Sequence, residues 1–141
     1  MFKFEKIPAD VLQRLPKVSE ALAADPRVLF AYVFGGCAEG EVKPLSDIDL
    51  AVYLGAVERL AEVKFDLFEK ISDILGTSEI DLIVLNTAPI SVAGRILRNR
   101  RLLLDKEPFR RHRYESLTLR KFFDFRRKEE ALLELRYGIG R

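Results

Sequence analysis

An α/β fold, a small mixed β-sheet flanked by helices and closed by a basic C-terminal helix, is predicted by three features of this 141-residue chain. Apolar runs of strand length (Val28–Phe34, Ile48–Leu54 and 79–85) alternate with stretches of helical periodicity, the pattern of helices packed on a sheet. The charge is divided along the chain, with 9 Lys/Arg against 15 Asp/Glu in residues 1–93 and 15 against 7 in residues 94–141. Carboxylates also stand inside two of the strand-like runs, where an acid needs a chemical reason.

Residues 8–24 place Val11, Leu12, Leu15, Val18, Ala21 and Leu22 near helical spacing, and Pro16 predicts a kink or a division into two short helices. Asp25-Pro26 stops and turns the chain. Val28–Phe34 is a continuous β-branched and aromatic run, the mark of a buried strand. A Gly-rich turn follows (Gly35-Gly36-Cys37-Ala38-Glu39-Gly40), then a polar link with Pro44 and a second strand at Ile48–Leu54. Residues 56–75 read as an amphipathic helix with Val57, Leu60, Ala61, Phe65, Phe68, Ile71 and Leu75 on one face and Gly76 as its stop. A third strand is expected at 79–85, a helix at 90–97 and a short edge strand at 102–104. From 107 to 136 the pattern is helical and basic, with Leu117, Phe122, Phe125, Leu132 and Leu135 as its expected apolar contacts. The whole reads as a single domain over residues 1–141, with a core over about 8–105 and a C-terminal helical segment over about 107–137.

An apolar fraction of 48% beside a charged fraction of 33% is ordinary for a soluble globular protein. No run approaches the roughly 20 apolar residues of a membrane span, and the first residues carry no apolar signal-peptide segment. No membrane association is expected, and a cytoplasmic location is. The single Cys37 excludes an intramolecular disulfide, and the single His112 excludes a His-rich metal site.

The chemistry is concentrated in Gly35–Gly40 and Ser46–Leu50. Strand side chains alternate, so Asp47 and Asp49 point one way while Ile48 and Leu50 point the other. Two neighbouring carboxylates repel unless a cation sits between them, and a hard divalent ion, Mg²⁺ or Mn²⁺, suits oxygen ligands. Glycines leave backbone N–H groups free to approach a phosphate. Asp81 lies between Ile80 and Leu82; if its strand runs beside the Asp47/Asp49 strand, three carboxylates meet at one metal site. Such a set supports two-metal chemistry on a nucleoside triphosphate, with Asp81 as ligand or proton acceptor.

Gly35-Gly36, ten residues, then Asp47-Ile48-Asp49 resembles the Gly-Ser-x(10)-Asp-x-Asp signature of the polymerase β-like nucleotidyltransferase superfamily. With Ala38, Gly40 and Ser46–Leu50 added, the match is similar to the minimal nucleotidyltransferases (MNT). Asp81–Asn86 with Ala88-Pro89 resembles that family's third-acid strand and the turn after it. The resemblance implies a nucleotidyltransferase fold. It also implies Asp47, Asp49 and Asp81 as catalytic metal ligands, and Gly35, Gly36 and Ser46 at the nucleotide. ATP would be the substrate. The implied partner is a HEPN-domain toxin, with this chain as antitoxin transferring AMP to a toxin tyrosine.

Three positions depart from the pattern. Gly36 stands where the family has Ser, and Cys37 and Glu39 stand where basic residues are usual. Losing one charge-assisted bond to phosphate removes about 1.5–3 kcal/mol. Two outcomes are then open: ATP binding is weakened, or Lys43 or an Arg of the C-terminal helix supplies the missing cation. Two other readings stay open: a non-catalytic antitoxin binding through the basic helix, and a small-molecule nucleotidyltransferase of the aminoglycoside-modifying kind. The latter usually carries a larger helical domain, which this chain would need a homo-oligomer to replace. No primer-gripping domain is visible, which disfavours polymerase activity on nucleic acid. Cys37 reads as a small turn residue, and His112, among Arg110, Arg111 and Arg113, as a surface residue.

Overall fold

The alternation of apolar runs becomes an alternation of helices and strands. The computed structural model describes residues 10–40 and 47–138. In order these form α1 (Val11–Ala24), β1 (Val28–Phe34), β2 (Ile48–Leu54), α2 (Leu60–Leu75), β3 (Ile80–Val84), α3 (Ile90–Arg98), β4 (Arg100–Asp105) and α4 (Pro108–Tyr137). The strands make one mixed sheet in the order β3-β2-β1-β4. β2 is parallel to β3 and antiparallel to β1, and β1 is antiparallel to β4.

Both faces of the sheet are covered, which is why β1 and β2 are apolar nearly throughout. On one face Ala31, Val33, Leu50, Val52 and Leu54 meet Val18 and Leu22 of α1 and Leu67, Ile71 and Leu75 of α2. On the other, Phe30, Tyr32 and Ala51 meet Ile96 and Leu97 of α3, with Tyr114 and Leu119 of α4 packed against them. Each fully buried Leu, Ile or Val contributes about 1.5–3 kcal/mol. Asn86 fastens the end of β2 to the turn after β3, its side chain accepting the Leu54 N–H and donating to the Leu54 carbonyl, both at 2.8 Å.

Four expectations need correction. α1 runs through Pro16 as one helix and not as two short ones. The hydrogen bond that Pro16 removes is the one to the Leu12 carbonyl in the first turn, so the loss falls at the helix end, and Leu12 and Leu15 still pack on the core. α2 begins at Leu60 rather than 56, because the chain before it is held elsewhere, with Gly55 N–H donating to the Arg27 carbonyl at 2.9 Å. Phe65 is 64% exposed. The buried stripe is Val63, Leu67, Ile71 and Leu75, and a residue two positions from Val63 faces away from it.

In α4 only Phe122 of the expected apolar contacts is buried; Leu117, Phe125, Leu132 and Leu135 are exposed. This helix of 30 residues is about 45 Å long. It crosses α3 where Gly94 leaves room, since a Cβ on Gly94 would lie 2.1 Å from the Phe122 ring. Beyond Phe122 no described residue of α4 is buried.

The turn before β1 is fixed by charge. Asp25, 5% exposed, accepts from the Arg27 N–H at 3.0 Å and from the Arg27 guanidinium at 2.9 and 2.7 Å, with Lys70 Nζ at 3.4 Å. Lys106 Nζ donates to the Asp25 carbonyl at 2.6 Å. The Arg27 hydrogen bond outweighs burial and holds the Asp25 carboxyl well below the usual range. A depressed carboxyl stabilises the fold above its unfolded value, and that contribution is lost as pH falls. Unfolding midpoints measured from pH 7 downwards are therefore expected to fall steeply below about pH 4. Asp25→Ala is expected to cost about 3 kcal/mol at pH 7 and to make that acid slope shallower.

Candidate active site

β1 delivers the chain to a glycine turn and β2 brings a carboxylate against it. Phe34 is the register partner of Asp49. The next residue, Gly35, has φ +64° and opens a single 3-10 turn over Gly35–Cys37. Ala38 N–H donates to the Gly35 carbonyl and Glu39 N–H to the Gly36 carbonyl, both at 3.1 Å. A Cβ on Gly35 would stand 2.6 Å from Asp49 Oδ2. Glycine is thus required twice there, for the backbone angle and for the close approach of the carboxylate.

β3 lies parallel to β2 with Asp81 in register with Asp49. In-register neighbours lie about 4.8 Å apart and turn their side chains to the same face. Asp49 and Asp81 therefore share the face of the sheet that α3 and α4 cover. Asp47 immediately precedes β2; it and Asp49 are half-buried and Asp81 is exposed. Among the described residues, no three His, Cys, Asp or Glu side chains are grouped so as to hold a metal ion by themselves. Gly36 is exposed on the turn. Ser46 and Lys43 lie outside the described residues.

Sequence reasoning missed the residues behind the turn. Gly35 N–H donates to the Asn99 carbonyl at 3.3 Å, and Asn99 Nδ2 donates to Glu39 Oε1 at 3.3 Å. Arg100, the register partner of Phe34, reaches Glu115 of α4 at 3.2 Å and stands over the Tyr32 ring at 5.6 Å. Tyr32 donates its hydroxyl to Glu115 Oε2 at 2.6 Å, and Arg111 bonds both oxygens of Glu115 at 3.1 Å. Burial pushes the Tyr32 hydroxyl above its ordinary range, and its bond to Glu115 pushes it the same way. Burial also pushes the Glu115 carboxyl up, but Tyr32, Arg100 and Arg111 together hold it low. Only the Arg111–Glu115 spacing of four on a helix was available as a signal.

The cavity beside the C-terminal end of β3 is a separate feature. It has a volume of about 440 Å³ and is lined by Leu60, Lys64, Ile83, Thr87, Pro89 and Val92, among others. Its mostly apolar lining comes from α2, the last residues of β3, the turn after it and α3.

Gly35→Ala tests the close approach directly. The added methyl is expected to displace the Asp49 carboxylate and to strain the positive φ, costing about 1–2 kcal/mol of stability. ATP binding measured calorimetrically with Mg²⁺ is expected to weaken at least tenfold. Gly40→Ala carries the same strain of a positive φ (+77°) but its Cβ would meet no atom within 4 Å, so it isolates the backbone cost and is expected to spare ATP binding.

Comparison with known proteins agrees with this architecture. The family model described as "Polymerase beta, Nucleotidyltransferase" matches residues 16–109. The crystal structure of a toxin–antitoxin with AMP-PNP superposes with a TM-score of 0.62 at 18% identity, covering 88% of this chain and 93% of that one. A tri-AMPylated HEPN toxin in complex with MNT antitoxin from Shewanella oneidensis gives a TM-score of 0.60 at 17% identity, with 88% and 93% covered. A structure described as a minimal nucleotidyltransferase gives 0.50 at 23% identity, covering 64% of this chain and 93% of that one. At these identities the likeness is one of fold. No curated protein matches the chain. Among the described residues no helix is long and apolar enough to cross a membrane.

Proposed function

Because this chain belongs to the polymerase beta nucleotidyltransferase family, we propose that it transfers AMP from ATP to an acceptor hydroxyl, a tyrosine of a HEPN toxin, and so acts as antitoxin. The observation that carries this reading is the register of Asp49 with Asp81 beside the Gly35 turn. The carboxylates are hard oxygen donors and fit Mg²⁺ or Mn²⁺ in kind. Mg²⁺ is commonly held by one or two carboxylates together with substrate phosphates, so a ready-made cage of three is not required. Asp47 and Asp49 would hold the metal, with Asp81 beside them. When bound, the ion neutralises charge on the triphosphate and on the leaving pyrophosphate.

The chain's own residues do the rest. Gly36, exposed on the turn beside Gly35, leaves room for the phosphates to approach the backbone. Asp81, the exposed acid of the set, accepts the proton of the attacking hydroxyl. The acceptor oxygen bonds the α-phosphorus as the bond to the bridging oxygen breaks and pyrophosphate departs. In favour of the toxin as acceptor stands the fold shared with antitoxins crystallised beside their toxins.

The test is to incubate the purified protein with Mg²⁺, α-labelled ATP and a HEPN-domain protein from the same genome. Label is expected on a toxin tyrosine and nowhere without Mg²⁺. A folded, mixed pair that stays unlabelled defeats the reading. A second reading, neutralisation by binding alone, draws on the exposed side chains of α4 beyond Phe122. It expects Asp47→Asn with Asp49→Asn to neutralise the toxin fully, and truncation of α4 to abolish neutralisation.

A further inference from the structure

Asn99, in the link between α3 and β4, touches both ends of the glycine turn. Its backbone carbonyl accepts the Gly35 N–H and its side-chain amide donates to Glu39 Oε1, each at 3.3 Å. Glu39 is the one acid in residues 35–40, where the resemblance expects a basic residue, and a free carboxylate near a triphosphate would repel it. Both Asn99 and Glu39 are exposed, so their bond serves no core. The neighbouring guanidiniums are engaged elsewhere, Arg98 over the Phe123 ring at 5.9 Å and Arg100 at Glu115. An uncharged amide is therefore what reaches Glu39.

We infer that Asn99 is a positioning residue for nucleotide binding: its side chain holds the Glu39 carboxylate on the β4 side of the turn, away from the phosphates. This rests on the nucleotidyl-transfer reading above. It explains how the chain tolerates an acid in a phosphate-facing turn. The backbone bond to Gly35 survives any substitution at 99, so the side-chain bond can be removed by itself.

The test is a cycle of four proteins, wild type, Asn99→Ala, Glu39→Gln and the double variant, titrated calorimetrically with ATP and Mg²⁺. Asn99→Ala is expected to weaken ATP binding about fivefold at low salt, and less at high salt, because a freed carboxylate repels the phosphates through water. Glu39→Gln is expected to bind within about twofold of wild type, and the double variant likewise, since removing the charge removes the need to restrain it. Asn99→Ala binding as wild type does would overturn the inference. So would a double variant as weak as Asn99→Ala, which marks a merely structural loss. Absence of ATP binding by wild type defeats the nucleotidyl reading and this role with it. Amide exchange then judges the clasp separately. Exchange at Ala38 and Glu39 is expected to quicken several-fold in Asn99→Ala while α2 is unchanged, and equal exchange would rule the clasp out.

Discussion

Asp49→Asn is expected to abolish AMP transfer, lowering the initial rate at least about 10³-fold, a loss of about 4 kcal/mol of transition-state stabilisation. The substitution keeps the shape of the side chain and removes one negative charge. That charge lies in register with Asp81 and against Gly35. On the proposed reading, the ion would lose a ligand and the leaving pyrophosphate would lose its neutralising charge. The midpoint of thermal unfolding is expected to move by only a few degrees, because Asp49 is half-buried at the rim of the sheet and not in its core. Rates of label transfer beside an unfolding curve separate the two effects. A variant that retains a tenth of the wild-type rate would remove Asp49 from the chemistry.

The largest effect on stability is expected from Glu115→Ala. Glu115 is 7% exposed and joins three elements, accepting from Tyr32 of β1 at 2.6 Å, lying 3.2 Å from Arg100 of β4 and bonding Arg111 within α4. Truncation leaves the buried Tyr32 hydroxyl without its acceptor and removes the counter-charge of two guanidiniums, a loss of about 3–5 kcal/mol. Arg111 keeps Asp105 at 2.9 Å, which sets a floor under the damage. Urea unfolding measures it. Glu115→Leu with Tyr32→Phe is expected to recover only the part of the loss that comes from the Tyr32 hydroxyl, since Arg100 and Arg111 still lack the Glu115 carboxylate. If Glu115→Ala costs under 1 kcal/mol, the network does not hold α4 on the sheet.

The site was legible where chemistry is written in local spacing. Asp47 and Asp49 are two apart, so their alternation onto one face follows from backbone geometry alone. Asp81 could be named as a candidate but not placed, because no rule of spacing says which strands pair. Asn99 and Glu115 were invisible for the same reason, since each acts on a residue 60 or more positions away. Helix faces were read less well. Phe65 fits an apolar list, yet two positions from Val63 it turns outward. Leu132 and Leu135 have helical spacing, yet burial depends on a second layer, and the sheet and α3 end before them.

The order of elements, the strands, the basic terminal helix and the carboxylate pair follow from the sequence by itself, because period, turn residues and charge act over a few neighbouring positions. The tertiary structure decided the rest. It set β3 parallel to β2 so that Asp81 stands beside Asp49, pressed Gly35 against that carboxylate, and brought Asn99 to Glu39. Such juxtapositions arise only when the sheet closes and both of its faces are covered, since the free energy that fixes them comes from burial summed over the whole core.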